Sequence, residues 1–246
     1  MSLLWRNREL RLGLAPERIY VSGGKSIELP ASEEGWQTAL AALPEVLKGR
    51  NGLAWVVLAD QFVRYALLPH NEALKSVDEW TALARHRFSV LHGPRAEAWQ
   101  VKVAATAPYG VRLACAVDKA LIAGLAEAFV KSQLRLASVQ PFLIAAFNRI
   151  RRRVGHGACW IVVEETGRLT LALVQRGAWV AVRARRCDAQ WRKRLGEILE
   201  RESAFLGLSQ PVTRVIVCSQ DALPVELHEQ WRSEAIDYRE LALSKE

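Results

Sequence analysis

The residues Gly24-Lys25-Ser26 match the end of a phosphate-binding loop, a feature that would make this chain a nucleotide-binding protein. The full loop has the pattern Gly-x-x-x-x-Gly-Lys-Ser/Thr, and a helix begins directly after it. Here the position of the first glycine holds Ile19, and residues 27–30 form a short alternating run that ends at a proline. That run is typical of a strand, so we interpret the glycines as a turn between two strands.

The sequence shows little sign of other catalytic or metal-binding motifs. There is no Gly-x-Ser-x-Gly motif for a serine nucleophile. The four cysteines, Cys115, Cys159, Cys187 and Cys218, stand far apart without a Cys-x-x-Cys pair. We therefore interpret them as reduced, mostly buried thiols and predict neither a metal site nor a cofactor.

The composition is that of a chain large enough for one large domain or two lobes. It has 246 residues, of which 50% are hydrophobic, and no apolar run approaches the roughly 20 residues of a membrane-spanning helix. Residues 1–14 carry charges among their apolar residues, so they lack a signal-peptide core. These features predict a cytoplasmic protein whose membrane anchor, if it uses one, belongs to another protein.

Arginine dominates the net charge of +8 and falls into two clusters. Three interpretations stay open, namely solvated helix ends and loops, a nucleic-acid surface, or a surface for the anionic inner membrane leaflet. Charge alone does not choose between them. The first cluster is Arg149, Arg151, Arg152 and Arg153, and the second is Arg183, Arg185, Arg186, Arg192, Lys193 and Arg194.

Apolar periodicity predicts that the two halves of the chain share one order of elements. Each half begins with three short antiparallel strands and continues as helix, strand, helix. Strands are predicted at 10–14, 19–21, 26–29, 53–58, 62–68, 99–103, 111–117, 134–139, 158–163, 168–174, 179–183, 212–218 and 237–243. Helices are predicted after Ser32, Ser76, Asp118, Pro141 and Asp188, and over 224–231.

This order predicts an α/β protein with a duplicated, ribonuclease H-like plan, which is the two-lobed actin-like architecture. We expect a first lobe over residues 1–150, a small subdomain inserted into it at about residues 60–117, and a second, smaller lobe over residues 151–246. Both lobes would contain mixed sheets.

Residues 111–150, VRLACAVDKALIAGLAEAFVKSQLRLASVQPFLIAAFNRI, resemble one family in particular. They resemble the actin-like cytoplasmic proteins of type IV pilus and type II secretion assembly, the PilM and GspL kind. In that family a strand, a capped helix, a strand and an alanine-rich helix close the first lobe in this order. The segment FVRYALLP and the helix after Ser76 resemble the family's inserted subdomain.

The resemblance implies where a nucleotide would bind. Actin-like ATPases hold phosphates with two hairpin turns, each with an Asp-x-Gly type sequence. The first turn here, residues 14–18, has neither aspartate nor glycine, and Pro16 removes one amide donor. The second turn, residues 164–168, has Gly167 but places it after two glutamates, which repel phosphate. We therefore predict that nucleotide binding has been lost.

The resemblance further implies a non-catalytic cytoplasmic scaffold, peripheral at the inner membrane, that docks the cytoplasmic tail of a small single-span inner-membrane protein. Phe62, Arg64 and Tyr65 are docking candidates because an edge strand accepts a partner peptide. Trp5 or Trp231 would be a candidate if exposed. Two alternatives remain, a basic nucleic-acid-binding protein of ribonuclease H-like fold and a weak actin-like ATPase. A ribonuclease H-type nuclease is disfavoured because the first strand has no aspartate.

Overall fold

A computed structural model describes residues 9–23, 25–30, 35–104, 110–155, 157–219, 227 and 230–237. The strands are β1 (Glu9–Leu14), β2 (Arg18–Val21), β3 (Lys25–Glu28), β4 (Asn51–Leu58), β5 (Val63–Leu68), β6 (Trp99–Val103), β7 (Arg112–Asp118), β8 (Gln133–Pro141), β9 (Ala158–Glu165), β10 (Arg168–Gln175), β11 (Ala178–Arg186), β12 (Arg214–Ser219) and β13 (Arg232–Asp237). The α-helices are α1 (Trp36–Leu47), α2 (Val77–His92), α3 (Lys119–Val130), α4 (Phe142–Val154) and α5 (Leu195–Phe205). Short 3-10 helices span Asp60–Phe62 and Gly93–Ala98.

Two five-stranded sheets repeat one topology. The first has the order β3-β2-β1-β4-β8, and the second has the order β11-β10-β9-β12-β13. In the first sheet β1, β2 and β3 are antiparallel neighbours, while β4 and β8 run parallel to β1. In the second sheet β9, β10 and β11 are antiparallel, while β12 and β13 run parallel to β9. The predicted duplicated α/β plan with mixed sheets is confirmed.

A third sheet, of order β5-β7-β6, is inserted between β4 and α3. All its pairings are antiparallel, and α2 packs against it. The capping box predicted at Ser76 is present, since the Ser76 hydroxyl accepts from the Glu79 amide and the Glu79 carboxylate accepts from the Ser76 amide. The predicted cap of α3 is also present, because the Asp118 carboxylate accepts from the Ala120 amide.

The long apolar runs of the second sheet are explained by burial on both faces. One face, including Trp160, packs against α5, and the other, including Ile161, packs against α4. α4 follows the last strand of the first sheet, yet it lies on the second sheet. The predicted bounds of the lobes at residues 150 and 151 remain a prediction, and α4 continues across them to Val154.

One predicted element is wrong in its bounds. Asp188 does not begin a helix, because its carboxylate binds the Gln190 amide within a turn and α5 begins only at Leu195. The predicted strand over 237–243 lies outside the described residues except for Asp237, which ends β13 (Arg232–Asp237). The predicted cap at Ser32 and most of the predicted helix over 224–231 lie outside the described residues.

Candidate functional site

The two hairpin turns that the resemblance assigns to phosphate binding touch each other. The Thr166 hydroxyl, in the β9–β10 turn, donates to the Glu17 carboxylate in the β1–β2 turn over 2.8 Å. The Gln61 side-chain amide donates to the Thr166 carbonyl over 3.1 Å. We call the group Glu17, Asp60, Gln61, Glu165 and Thr166 the interlobe junction, because it joins the tips of the first and second sheets.

Glu165, the last residue of β9, is the buried centre of this junction. Both of its carboxylate oxygens accept backbone hydrogen bonds at the start of the 3-10 helix, from Asp60 N at 2.7 Å and from Gln61 N at 3.0 Å. The first amides of a helix have no partner within the helix and attract anions. The carboxylate of the second lobe therefore satisfies two amides of the first lobe.

Asp60 is fully buried and joins the junction to α4. One of its carboxylate oxygens accepts from the Leu143 amide, in the first turn of α4, over 3.1 Å. The same oxygen accepts a short hydrogen bond from the Tyr65 hydroxyl. Asp60 thus accepts a hydrogen bond from the first turn of α4, just as Glu165 accepts hydrogen bonds from the first amides of the 3-10 helix.

Burial raises the pKa of both carboxyl groups. Burial raises the pKa of Asp60 to about 6, against the lowering effect of the hydrogen bonds from Tyr65 and Leu143. Burial, followed by the negative charge of Asp60, raises the pKa of Glu165 well above its ordinary value. Arg168 opposes both shifts. The junction is therefore an acidic and poorly hydrated place.

This geometry disfavours phosphate at the junction. A phosphate would have to displace Glu165 from its amides or separate Thr166 from Glu17, and it would approach two carboxylates. Repulsion between like charges is strong where water is excluded. Among the described residues, no group of three or more histidine, cysteine or carboxylate side chains is placed to hold a metal ion that could offset it.

The predicted docking residues Phe62, Arg64 and Tyr65 lie at this same junction. Phe62 ends the 3-10 helix and packs against the cores of both sheets. Tyr65 donates to Asp60, and the Arg64 guanidinium lies 6.0 Å from the centre of the Trp99 ring. Burial lowers the pKa of Arg64. Strand β5 pairs with β7 on one side and lies beside β11 on the other. The docking role of Phe62, Arg64 and Tyr65 remains a prediction.

The first arginine cluster lies on the last turns of α4. Arg149 is half-buried, and Arg151, Arg152 and Arg153 are exposed. Arg153 forms an ion pair with Glu234 of β13. Neither Arg151 nor Arg152 forms an ion pair with another described residue.

The second arginine cluster differs because acidic residues neutralise much of it. Arg183 lies over the ring of Phe205, and Arg186 is exposed at the end of β11. The ion pairs of this cluster are Arg185 with Glu202 at 3.7 Å, Arg192 with Glu164 at 4.0 Å, and Arg194 with Asp188 at 2.6 Å. Ion pairing on the predicted basic surface is therefore uneven, since three arginines of the second cluster and only Arg153 of the first are paired with described acidic residues.

The tryptophan candidates for docking are not supported. Trp231 is 9% exposed and packs in the core under α5, so its exposure, the condition for a docking role, is not met. Trp5 lies outside the described residues.

Sequence reasoning missed the roles of Asp60 and Glu165. Asp60 follows an apolar strand and precedes another, which is the sequence context of an ordinary turn, whereas in the fold it is buried against α4. The adjacent Glu164 and Glu165 were a usable signal, because the second of two carboxylates at a strand end can point inward. The partners on the other lobe could not be found without the fold, since Asp60 and Glu165 lie 105 positions apart.

No protein-family model and no curated protein sequence matches the chain. Solved structures do match it. A Bacteroides thetaiotaomicron protein with an actin-like ATPase fold and unknown function is 14% identical, with a TM-score of 0.57, over 91% of this chain and 86% of that one.

Two further structures come from assembly systems. A chain of the PilM–PilN type IV pilus biogenesis complex is 14% identical, with a TM-score of 0.62, over 87% of this chain and 82% of that one. The cytoplasmic domain of EpsL, an inner membrane component of the type II secretion system of Vibrio cholerae, is 13% identical, with a TM-score of 0.60, over 95% and 92%. The fold of this chain is therefore actin-like, and the predicted resemblance is confirmed at the level of fold.

Proposed function

We propose that this protein is a non-catalytic cytoplasmic scaffold that binds the cytoplasmic tail of a single-span inner-membrane protein in a pilus or secretion assembly. The proposal has two supports, the likeness to the pilus and secretion structures and the geometry of the junction. None of the helices within the described residues is both long and apolar enough to cross a membrane. Attachment to the membrane would then run through the partner.

The observation that carries the non-catalytic part is the hydrogen bond between Thr166 and Glu17, backed by the buried Glu165 carboxylate. In an actin-like ATPase the corresponding turns face each other across the phosphates. In this chain they bind each other, and Glu165 supplies the negative charge that the amides of Asp60 and Gln61 attract.

Calorimetric titration with ATP and magnesium tests this part. We expect no heat of binding up to millimolar nucleotide, because binding would require Glu165 to leave two buried amides unpaired. Micromolar binding would overturn the proposal in favour of a weak ATPase. A titration with Glu165→Gln, which keeps a carbonyl acceptor but removes the charge, separates the effect of charge from that of the contact.

The docking part concerns the surface around Phe62, Arg64 and Tyr65. Phe62 packs in the core and Tyr65 binds Asp60, so Arg64→Glu is the informative variant, with far-UV circular dichroism to confirm that it folds without the hydrogen bonds from Arg64 to the Gln61 and Val63 carbonyls. The protein would be cross-linked in its own cells, its membrane partner identified, and the cytoplasmic tail of that partner synthesised for binding measurements.

We expect the tail to bind the wild type and to bind Arg64→Glu more weakly, while the exposed variant Arg85→Glu binds as the wild type does. Recovery of nucleic acid instead of a membrane protein would contradict the proposal and favour the nucleic-acid alternative. If Arg64→Glu bound the tail as strongly as the wild type does, the docking site would lie elsewhere on the protein.

A further inference from the structure

Strand β3 forms an edge of the first sheet. Among the described strands it pairs only with β2, and all four of its residues, Lys25 to Glu28, are exposed. One side of an edge strand presents backbone amides and carbonyls that can pair with another chain. The Lys25-Ser26 pair, which matched the end of a phosphate-binding loop, therefore begins a strand that could accept a further strand.

The pairing of β3 with β2 shows which backbone groups point outward. Just past the end of β3, the Leu29 amide donates to the Glu17 carbonyl over 2.8 Å. In an antiparallel pair, alternate residues direct both backbone groups toward the partner strand. Ile27 therefore directs its amide and carbonyl toward β2, while Ser26 and Glu28 direct theirs away from the sheet.

A groove of about 330 Å³ lies beside this edge, lined by residues of β2, β3 and the end of α1 with the loop that follows it. We call it the β3 groove. Its apolar lining residues are Val21, Ile27 and Val46, and Ile27 is 39% exposed. Ile27 lies directly opposite Ile19, whose side chain packs in the core beneath α1, so both point to the α1 face of the sheet. The groove thus offers apolar contacts next to the outward backbone groups.

The β3 groove is also positively charged. The basic residues of its described lining are Lys25, Lys48 and Arg50, and the acidic one is Glu45. Glu45 pairs with Lys48 over 3.5 Å, whereas neither Lys25 nor Arg50 forms an ion pair with another described residue. These cations come from separate elements, β3 and the loop after α1, so the charge surrounds the groove.

We propose that β3 binds an extended acidic peptide of a partner protein as an added strand of the first sheet. In this mode of recognition, backbone hydrogen bonds supply affinity and alternate side chains supply specificity. Every second side chain of the peptide would point to the α1 face, where carboxylates would meet Lys25 and Arg50. Glu28 does not oppose this, because it points to the other face and binds Arg18 over 3.0 Å. The inference goes beyond tail docking at β5 and does not depend on it.

Two other occupants fit the β3 groove less well. A second copy of this chain would bring the same cations to the contact, and a lysine on an edge strand opposes such pairing. The phosphates of a nucleic acid accept hydrogen bonds but donate none, so they would leave the outward carbonyls of Ser26 and Glu28 unpaired.

Selection of random peptides displayed on phage against the full chain tests the inference. We expect enrichment of sequences that alternate acidic and apolar residues, and the strongest binder would be synthesised with a fluorescent label as the probe. When the probe binds, NMR should show that the Ser26 and Glu28 amides become protected from hydrogen exchange. The Ile27 amide, which already faces β2, should change little.

Two pairs of variants separate backbone pairing from charge. Ser26→Pro removes an outward amide but no hydrogen bond to β2, and Ser26→Ala, which keeps the amide, is its control. We expect Ser26→Pro to bind the probe on the order of tenfold more weakly than Ser26→Ala. Lys25→Glu/Arg50→Glu should lose on the order of tenfold. Arg85→Glu/Arg87→Glu, with the same change of net charge on exposed residues of α2, should bind within about twofold of the wild type. Far-UV circular dichroism confirms that all four variants are folded.

Several results would overturn the inference. Selection could yield no binder, or binders without acidic enrichment. The probe could bind without protecting the Ser26 and Glu28 amides, which would place its site elsewhere, or both charge variants could lose equally, which would indicate net charge without a site. Displacement of the probe by duplex DNA would assign the groove to nucleic acid. A wild-type dimer in analytical ultracentrifugation that Ser26→Pro converts to a monomer would assign the edge to a second copy.

Discussion

The buried carboxylates of Asp60 and Glu165 hold negative charge in the interlobe junction, where water does not solvate it. Each carboxylate compensates for its burial by accepting hydrogen bonds from the N-terminus of a helix. Neither contact lies within one sheet, since Glu165 reaches from the second sheet to the 3-10 helix and Asp60 reaches α4. These two residues therefore connect the lobes through polar contacts that the apolar core cannot supply.

The pKa of Asp60 makes the stability of the fold depend on pH. Aspartate titrates near a pKa of about 3.9 in an unfolded chain, whereas Asp60 titrates at about 6 when folded. Between these values the folded state binds more protons than the unfolded state. The contribution of Asp60 is thus full below the unfolded value and is lost as the pH rises through the folded value.

We expect the unfolding free energy of the wild type, relative to Asp60→Asn, to increase by about 1 kcal/mol when the pH is lowered from neutral to about 5. Asp60→Asn also removes the charge that raises the pKa of Glu165, which flattens the pH slope further. Urea denaturation at several pH values measures the difference. Asp78→Asn, on the exposed side of α2, is the matched control, and a slope shared by Asp60→Asn and the wild type would contradict the assignment.

At the residue scale, local chemistry was predictable and long-range chemistry was not. Ser76 and Asp118 were predicted as caps because a cap needs only the next two or three residues. The sequence context of Asp60 is that of an ordinary turn. Asp60 is buried because α4 lies next to the 3-10 helix. That contact depends on the tertiary fold and not on the residues near Asp60 in the sequence.

Helices α1 and α3 pack closely on the outer face of the first sheet. At their contact, a Cβ atom added to Gly124 would clash with the Leu40 Cδ1 atom. A side chain cannot occupy that space unless Leu40 moves, so glycine permits the approach of the two helices. Their apolar faces cover β1 and β4, the strands that lead to the junction.

Gly124→Val should therefore destabilise the protein by about 1–3 kcal/mol in urea denaturation, because the branched side chain displaces Leu40 from the contact between α1 and α3. Adding Leu40→Ala should recover part of that loss, since it removes the atom that clashes. Ala123→Val, one residue away on the exposed side of α3, serves as the control and should cost only a few tenths of a kcal/mol. A Gly124→Val variant as stable as the control would show that Leu40 moves out of the contact without cost.

At the element scale, the existence of strands was easier to predict than the ends of helices. The second sheet was predictable because β9 and β12 are apolar over most of their length. The start of α5 was not, because Asp188 satisfies the usual signal for a cap while using its carboxylate to close a turn. Aspartate is common both at helix N-caps and in turns, because its side chain accepts local backbone hydrogen bonds in either place.

The whole molecule is joined by α4, which is connected to the first sheet and packed on the second. One core cluster includes Tyr20 and Val57 of the first sheet, Phe142 and Ile150 of α4, and Ile161 of the second sheet. Because these side chains are buried together, separating the lobes would expose apolar surface from both. The polar junction lies at the edge of this cluster and would open with it.

We therefore expect the protein to unfold in one cooperative transition. Leu43→Ala, on the α1 side of the first sheet, and Ile161→Ala, on the α4 side of the second, should each cost about 2–5 kcal/mol. Both should move the same transition, although the two residues lie in different clusters. In scanning calorimetry the van't Hoff and calorimetric enthalpies should agree, and circular dichroism and tryptophan fluorescence should give one midpoint. If Leu43→Ala lowered the midpoint of one transition and left a second in place, the lobes would be independent units and the contacts of Asp60 and Glu165 too weak to couple them.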